Sequence, residues 1–218
     1  MGAEALTEAD VSWQGLAGDR RSAFVRDGAE QSGFPWLTLR QRGEMNRYAP
    51  SLTNPEDPET SPTSVRTPSG TELDVTDPAL ATELGGEGAR VIRNCRGIFD
   101  TFPLSLISTQ TIASLSEIVG EPLDVQRFRP NILVEATGDS PFPEDEWVGR
   151  VLTISSMKMR IDKRDGRCVV ITIDPETGER RPEILRAVAD HRQGCLGVYG
   201  TTVAEGKVVV GDPVLLGV

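Results

Sequence analysis

The sequence predicts a fold that is mainly β with some α (α+β), and three observations carry that prediction. Glycine and proline are plentiful, at 22 and 15 of 218 residues, while aromatics make up 5%. That balance favours many turns and short strands over a helical bundle. Met157 to Asp162 alternates apolar and polar side chains, the mark of a half-buried strand. Across 127–218, about six short apolar runs alternate with turn residues and one or two helical patterns, which points to a small barrel.

Taken in order, residues 1–50 read as short strands and turns. Val11-Ser12-Trp13 predicts a strand and Gly15 to Gly18 a turn. Ser22 to Val25 predicts a second strand, closing on the Asp27-Gly28 turn pair. Phe34 to Arg40 reads as extended, because Pro35 keeps its predecessor out of the helical region. Residues 51–79 are rich in proline and small polar residues, and predict a flexible surface loop around one short strand, Thr71 to Val75. Ile112, Leu115 and Ile118 recur at helical spacing, so Ser108 to Val119 predicts a helix capped by Ser108 or Thr109 and ended before Pro122. Asn131 to Val134 and Val148 to Ile154 predict strands. Lys163 to Gly166 predicts a turn into an apolar strand running on from Cys168, and Pro182 to Arg192 a short helix. Gly206 to Val214 predicts a closing hairpin-like pair around Gly211-Asp212-Pro213.

Composition excludes several classes. A formal net charge of -10 and a pI near 4.7 argue against nucleic acid, whose phosphates need a basic face. An acidic surface suits a basic protein partner. Cys95, Cys168 and Cys195 are odd in number and scattered, so they form no disulfide framework or zinc knuckle, and a reducing cytoplasmic setting fits. Met1 to Asp10 lacks the basic and apolar regions of a signal peptide, and no apolar run approaches the ~20 residues of a membrane helix. The one histidine, His191, removes multi-histidine metal sites and reads as an exposed helix-end residue. Gly85 to Gly88 lacks the Walker lysine and the dinucleotide fingerprint, and marks a turn. Cys195 reads as a packing position, and Glu144-Asp145-Glu146 as a solvated loop.

Two signals remain. Cys168 follows a turn and a basic residue, Arg167, and leads into an apolar run. A neighbouring guanidinium favours the thiolate, which is both a nucleophile and a ligand for soft or high-valent metals. The competing reading is a buried structural cysteine. The second signal is arginine. Lysine occurs only at Lys158, Lys163 and Lys207, so arginine carries nearly all the positive charge. In Arg127-Phe128-Arg129-Pro130-Asn131, the two arginines would share one face of an extended strand. Their forks suit phosphate and planar heteroatom groups, and Asn131 adds an amide for a heterocycle edge. An ion-paired barrel rim is the alternative. Asp19-Arg20-Arg21 offers similar chemistry after a glycine turn; a solvated surface pair is the alternative.

In this order the motifs resemble MOSC-domain proteins, the molybdenum-cofactor sulfurase C-terminal family, in the branch of the mitochondrial amidoxime-reducing component. The resemblance rests on Gly15 to Arg21 with Ala23-Phe24-Val25, Thr38 to Gln41 with Met45, and Asp100 to Pro103 through Leu115. It rests also on Arg127 to Asn131, on Arg167-Cys168 with Thr172, Asp174-Pro175 and Thr177-Gly178, on Tyr199-Gly200, and on Val210 to Val214. It implies a MOSC-type β-barrel at 98–218 and an N-terminal β-rich MOSC-associated subdomain at 1–97, with 51–79 as its flexible loop. It implies a molybdenum–pyranopterin cofactor (Mo-molybdopterin) whose metal is bound by Cys168, the catalytic position. Arg21, Thr101, Arg129, Asn131, Arg167 and Tyr199 match cofactor-pocket positions, Arg21 as the anion-binding arginine. The implied reaction is reduction of small N-oxygenated substrates, amidoximes and hydroxylamines, with electrons from an external haem or iron–sulfur protein. A sulfur carrier using a Cys168 persulfide, or a cofactor-free scaffold, is the alternative; the sequence shows no pyridoxal-binding lysine.

Two departures accompany the match. The family usually carries a strand ending in Lys-Ser, which helps bind the cofactor phosphate, before the region matching Gly2 to Leu6; here Met1 stands there. Phe102 occupies a position that is often small and polar, which reshapes the implied pocket.

Overall fold

The computed structural model describes residues 1–29, 31, 32, 34–94, 97 and 101–217. The expected Asp100 and Cys95 positions lie outside them. The first strands are β1 (Glu8–Ser12), β2 (Gly15–Leu16), β3 (Ser22–Val25), β4 (Ala49–Leu52), β5 (Thr63–Arg66) and β6 (Glu72–Asp74). Helix α1 (Pro78–Gly85), β7 (Arg90–Arg93), β8 (Leu104–Ser108), α2 (Thr109–Val119) and β9 (Ile132–Val134) follow. Then come β10 (Val151–Ile154), β11 (Met157–Gly166), α3 (Pro182–Arg192), β12 (Cys195–Ala204), β13 (Gly206–Val209) and β14 (Val214–Leu216).

Two compact units result. The first comprises Met1–Ala5, Gly18–Phe99 and Pro175–Gly178; the second Leu6–Ala17, Asp100–Asp174 and Glu179–Val218. In the first unit β3 pairs with β7, and β4, β5 and β6 form an antiparallel sheet. The stretch expected as a loop around one short strand therefore holds β5 and β6, because Thr63–Arg66 finds partners on both sides. Helix α1 was not anticipated, yet its signal is present. The Asp77 carboxylate accepts from the Ala79 N–H at 2.8 Å, and Pro78 opens the first turn.

The second unit is built on a six-stranded sheet in the order β14-β10-β11-β12-β8-β9, antiparallel except for the parallel β8–β9 pair. Helix α2 supplies the crossover that a parallel neighbour requires. Ser108, not Thr109, caps α2: its hydroxyl accepts from the Thr111 N–H at 3.1 Å, and Gly120 ends the helix at φ +87°. Strand β1 joins β2 and β13 in a second sheet, which places Leu6–Ala17 in this unit. The closing hairpin is corrected, because β13 pairs with β1 and β14 with β10, not with each other. Strand β11 also runs through the expected Lys163–Gly166 turn, with bulges after Ile161 and after Arg164 absorbing the irregularity.

The β8–β12 sheet packs on both faces. Leu104, Leu106, Met159, Ile161 and Val198 pack with Leu152 and Met157 in one core. Ile107 and Leu196 turn the other way, onto Leu115 of α2, Ile184 and Val188 of α3, Phe128 and Ile171. Leu196 and Val198 reach different cores because Gly197, at φ +74°, breaks the alternation between them. A side chain at Gly197 would meet the Leu106 carbonyl at 2.8 Å, so only glycine fits.

The carboxylate run at 144–146 is also corrected. Glu144 is fully buried in a 3-10 turn, Pro143–Trp147. Its carboxylate accepts from the Ser108 hydroxyl at 2.7 Å and the Ser108 N–H at 3.3 Å, fastening that turn to the α2 cap.

Candidate functional site

Two of the expected site residues, Tyr199 and Asn131, stand in one row on the helix-facing side of the sheet. Lys163 of β11 lies opposite Tyr199 of β12, and Tyr199 opposite Ser105 of β8. Residues in register share a face, here the one turned away from Leu104, Leu106 and Val198. Asn131, just before β9, extends the row. Its Oδ1 accepts from the Ser105 N–H at 3.0 Å and the Ser105 hydroxyl at 3.1 Å, and its own N–H donates to the Ser105 carbonyl at 3.0 Å. Phe102 stacks on Tyr199 with centroids 5.7 Å apart, and the Lys163 ammonium lies 5.4 Å from the Phe102 centroid. Thr101 is exposed beside Phe102.

Beneath this row lies a carboxylate that sequence reasoning missed. Asp165 is 2% exposed; its Oδ2 pairs with Arg167 Nη1 at 3.0 Å, and the Tyr199 hydroxyl bonds to it. Its position at the end of a strand beside an arginine was the available signal. Arg167 is anchored further: Nε donates to the Leu196 carbonyl at 2.7 Å and Nη1 to the Phe128 carbonyl at 2.8 Å. Burial pushes the Asp165 carboxyl above 3.8, outweighing Arg167, Tyr199 and Lys163, which draw it down. A carboxyl that binds its proton more tightly when folded stabilises fully below its unfolded value, and that stabilisation is lost as pH rises through the raised folded value. The stability difference between wild type and Asp165→Asn, read from urea midpoints between about pH 3 and 8, is expected to shift against the wild type as pH rises.

Cys168 is half-buried and carries a free thiol. The expected strand after it is a 3-10 turn, Val169–Thr172, with Cys168 at its entrance. The turn forms because β11 and its pairing end at Gly166, and the Thr172 hydroxyl donates back to the Val169 carbonyl at 2.7 Å. Arg127 and Arg129 do not share a strand face. Asp124 caps a 3-10 turn, Val125–Arg127, and Arg129 adopts φ +52°. Arg127 is 7% exposed and pairs with Asp174 at 2.5 Å.

Arg21 lies in the first unit and is 5% exposed. Glu59 holds it with two bonds, from Nη2 at 2.6 Å and Nε at 3.2 Å, while its buried Nη1 has no hydrogen-bond partner. Arg21 lines a cleft of about 220 Å³ with Arg93, Asp74 and Thr63. The other six expected residues belong to the second unit. Among the described residues, no cluster of His, Cys, Asp and Glu could hold a metal by itself.

The MOSC domain family model matches residues 94–215. The chain belongs to the MOSC domain family. The matched region holds Ser105, Asn131, Lys163 and Tyr199, and also Thr101 and Cys168. This MOSC chain is 31% identical over 128 residues to mitochondrial amidoxime reducing component 2 of Bos taurus, covering 53% of this chain and 37% of that one. Mitochondrial amidoxime-reducing component 1 of Homo sapiens is 29% identical over 130 residues, covering 54% and 37%. The matches thus span little more than a third of those relatives' length. Molybdenum cofactor sulfurase of Danio rerio is 39% identical over 77 residues, covering 34% of this chain and 9% of that one. The YUAD protein of Bacillus subtilis shares the fold, with a TM-score of 0.51 at 14% identity over 97% of this chain and 85% of that one. The described residues of the MOSC chain are therefore β-rich with three α-helices, and the chain has relatives whose names tie them to the molybdenum cofactor and to amidoxime reduction. Among its described residues, no helix is long and apolar enough to cross a membrane.

Proposed function

We propose that this MOSC protein holds a molybdenum–pyranopterin cofactor through Cys168 and reduces N-hydroxylated compounds, amidoximes and hydroxylamines, with electrons from a separate haem or iron–sulfur protein. The observation that carries the reading is the half-buried free Cys168 at a turn entrance inside the family-matched region. The donor set fits the group. One soft sulfur offers a single metal bond, which suits a metal whose remaining ligands arrive with its own dithiolene. When bound, the cofactor supplies a centre that cycles by two electrons and takes an oxygen atom from the substrate.

The chain's own residues then have separate tasks. Arg129 is held in a left-handed backbone conformation, a strain that concentrates at functional sites, and offers its fork to phosphate or the pterin. Asn131, steadied by Ser105, presents its amide to the pterin edge. Tyr199, with Phe102 stacked on it, and the exposed Thr101 are the remaining pocket positions of the reading. Arg167 is bound to two carbonyls and Asp165, so it serves by holding the backbone that carries Cys168. Arg21, paired with Glu59 in the first unit, is the anion-binding arginine of the reading. The scattered cysteines keep the reading in a reducing cytoplasm.

The test is reduction of an amidoxime by protein from a molybdenum-replete host, using a reduced viologen dye as donor. Turnover is expected for wild type. Metal-free protein carrying a cyanide-labile sulfur on Cys168 would instead establish the sulfur-carrier reading.

A further inference from the structure

The bend at Arg127-Phe128 meets the cysteine segment at both flanks and in its middle. Arg127 reaches Asp174, just past the 3-10 turn, at 2.5 Å. The carbonyl of the next residue, Phe128, accepts from Arg167 Nη1 at 2.8 Å, and Arg167 immediately precedes Cys168. The Phe128 ring packs in one core with Ile171, inside the turn, and the Arg167 guanidinium lies 5.8 Å from the ring centroid. Two adjacent residues therefore grip both flanks of the Cys168 turn, while a third contact fills its middle.

Arg127 is costly for a purely structural part. It is 7% exposed, and its buried Nε and Nη1 have no hydrogen-bond partner. A buried ion pair contributes little net stability compared with an apolar side chain of similar size, whereas it fixes one arrangement over others. We infer that Arg127 is a positioning residue: through Asp174 it sets where the Cys168 thiol stands. The inference deepens the role proposed for Cys168 by naming what controls the position of that ligand.

The test reads the thiol, so it does not depend on metal loading and can fail separately from the proposed reaction. In a Cys95→Ser/Cys195→Ser background, Cys168 alone reacts with an aromatic disulfide reagent. Arg127→Met is expected to raise the reaction rate about tenfold, the effect of losing one charge-assisted bond that restrains local opening. Asp174→Asn is expected to do the same. Arg127→Lys should restore most of the slow rate, and so should the exchanged pair Arg127→Asp/Asp174→Arg. If Arg127→Met does not fold, Asp174→Asn decides, because Asp174 is 27% exposed and its loss leaves no wholly buried gap. Wild-type rates in folded Arg127→Met and Asp174→Asn would overturn the inference. A Lys variant as fast as the Met variant, or an exchanged pair that stays fast, would overturn it too.

Discussion

Cys168→Ala is expected to lose the proposed amidoxime reduction by at least about 10³-fold while keeping the fold, since removing a group that acts only at the reacting centre costs rate and not packing. The thiol is half-buried and makes no bond that the turn needs; the turn is closed by its own carbonyls and by Thr172. No neighbouring cluster of metal-binding side chains stands ready to replace it among the described residues. Cys195 sits at the start of β12, where Gly166 is its register partner. Cys168→Ser should be nearly as inactive, because a hydroxyl is a harder and far less acidic ligand than a thiol. Steady-state rates with the viologen donor and melting curves of the same preparations check both halves of the expectation. A Cys168→Ala protein that still turns over would contradict it.

The largest stability loss is expected at Glu144→Ala, about 3 kcal/mol, since it strips two buried donors of their acceptor and leaves a cavity. Both donors belong to Ser108, which also caps α2 and ends β8. The damage therefore falls where a helix, a strand and the Pro143–Trp147 turn meet. For a chain of this size, the melting temperature should drop by roughly 6–12 °C. Glu144→Gln keeps the shape and one acceptor oxygen, so its loss should be smaller. Calorimetry of the two variants would show the order; equal and small losses would mean that the buried carboxylate is not what fastens the cap.

The elements that local chemistry dictates were legible in the sequence. Helices α2 and α3 announce themselves by apolar spacing, a serine cap and an opening proline, and β3, β9 and β10 by short apolar runs. The Cys168 segment was not, because an apolar run from Val169 to Ile173 looks the same whether it enters a strand or turns into a core. What decides is distant: Arg167 finds its partners 29 and 39 residues away, at Leu196 and Phe128. Glu144 misled for the same reason. Three acidic residues in a row look solvated, and only the fold brings Ser108, 36 residues earlier, to one of them. The arginine knot does not have the geometry of a strand. Asp124 starts a tight turn and Arg129 reverses it, so the two arginines have different neighbours. In Gly206 to Val214 the turn chemistry was read correctly, yet each arm found a better partner elsewhere in the second unit.

Cys168 is central to every functional step proposed for this chain, and metal content tests it most directly. Protein purified from a molybdenum-replete host, with and without Cys168→Ala, can be assayed for molybdenum by elemental analysis. The account predicts about one molybdenum per wild-type chain and much less in the variant, because the variant lacks the one bond the protein makes to the metal. Metal-free wild type, or equal molybdenum in both proteins, would contradict it.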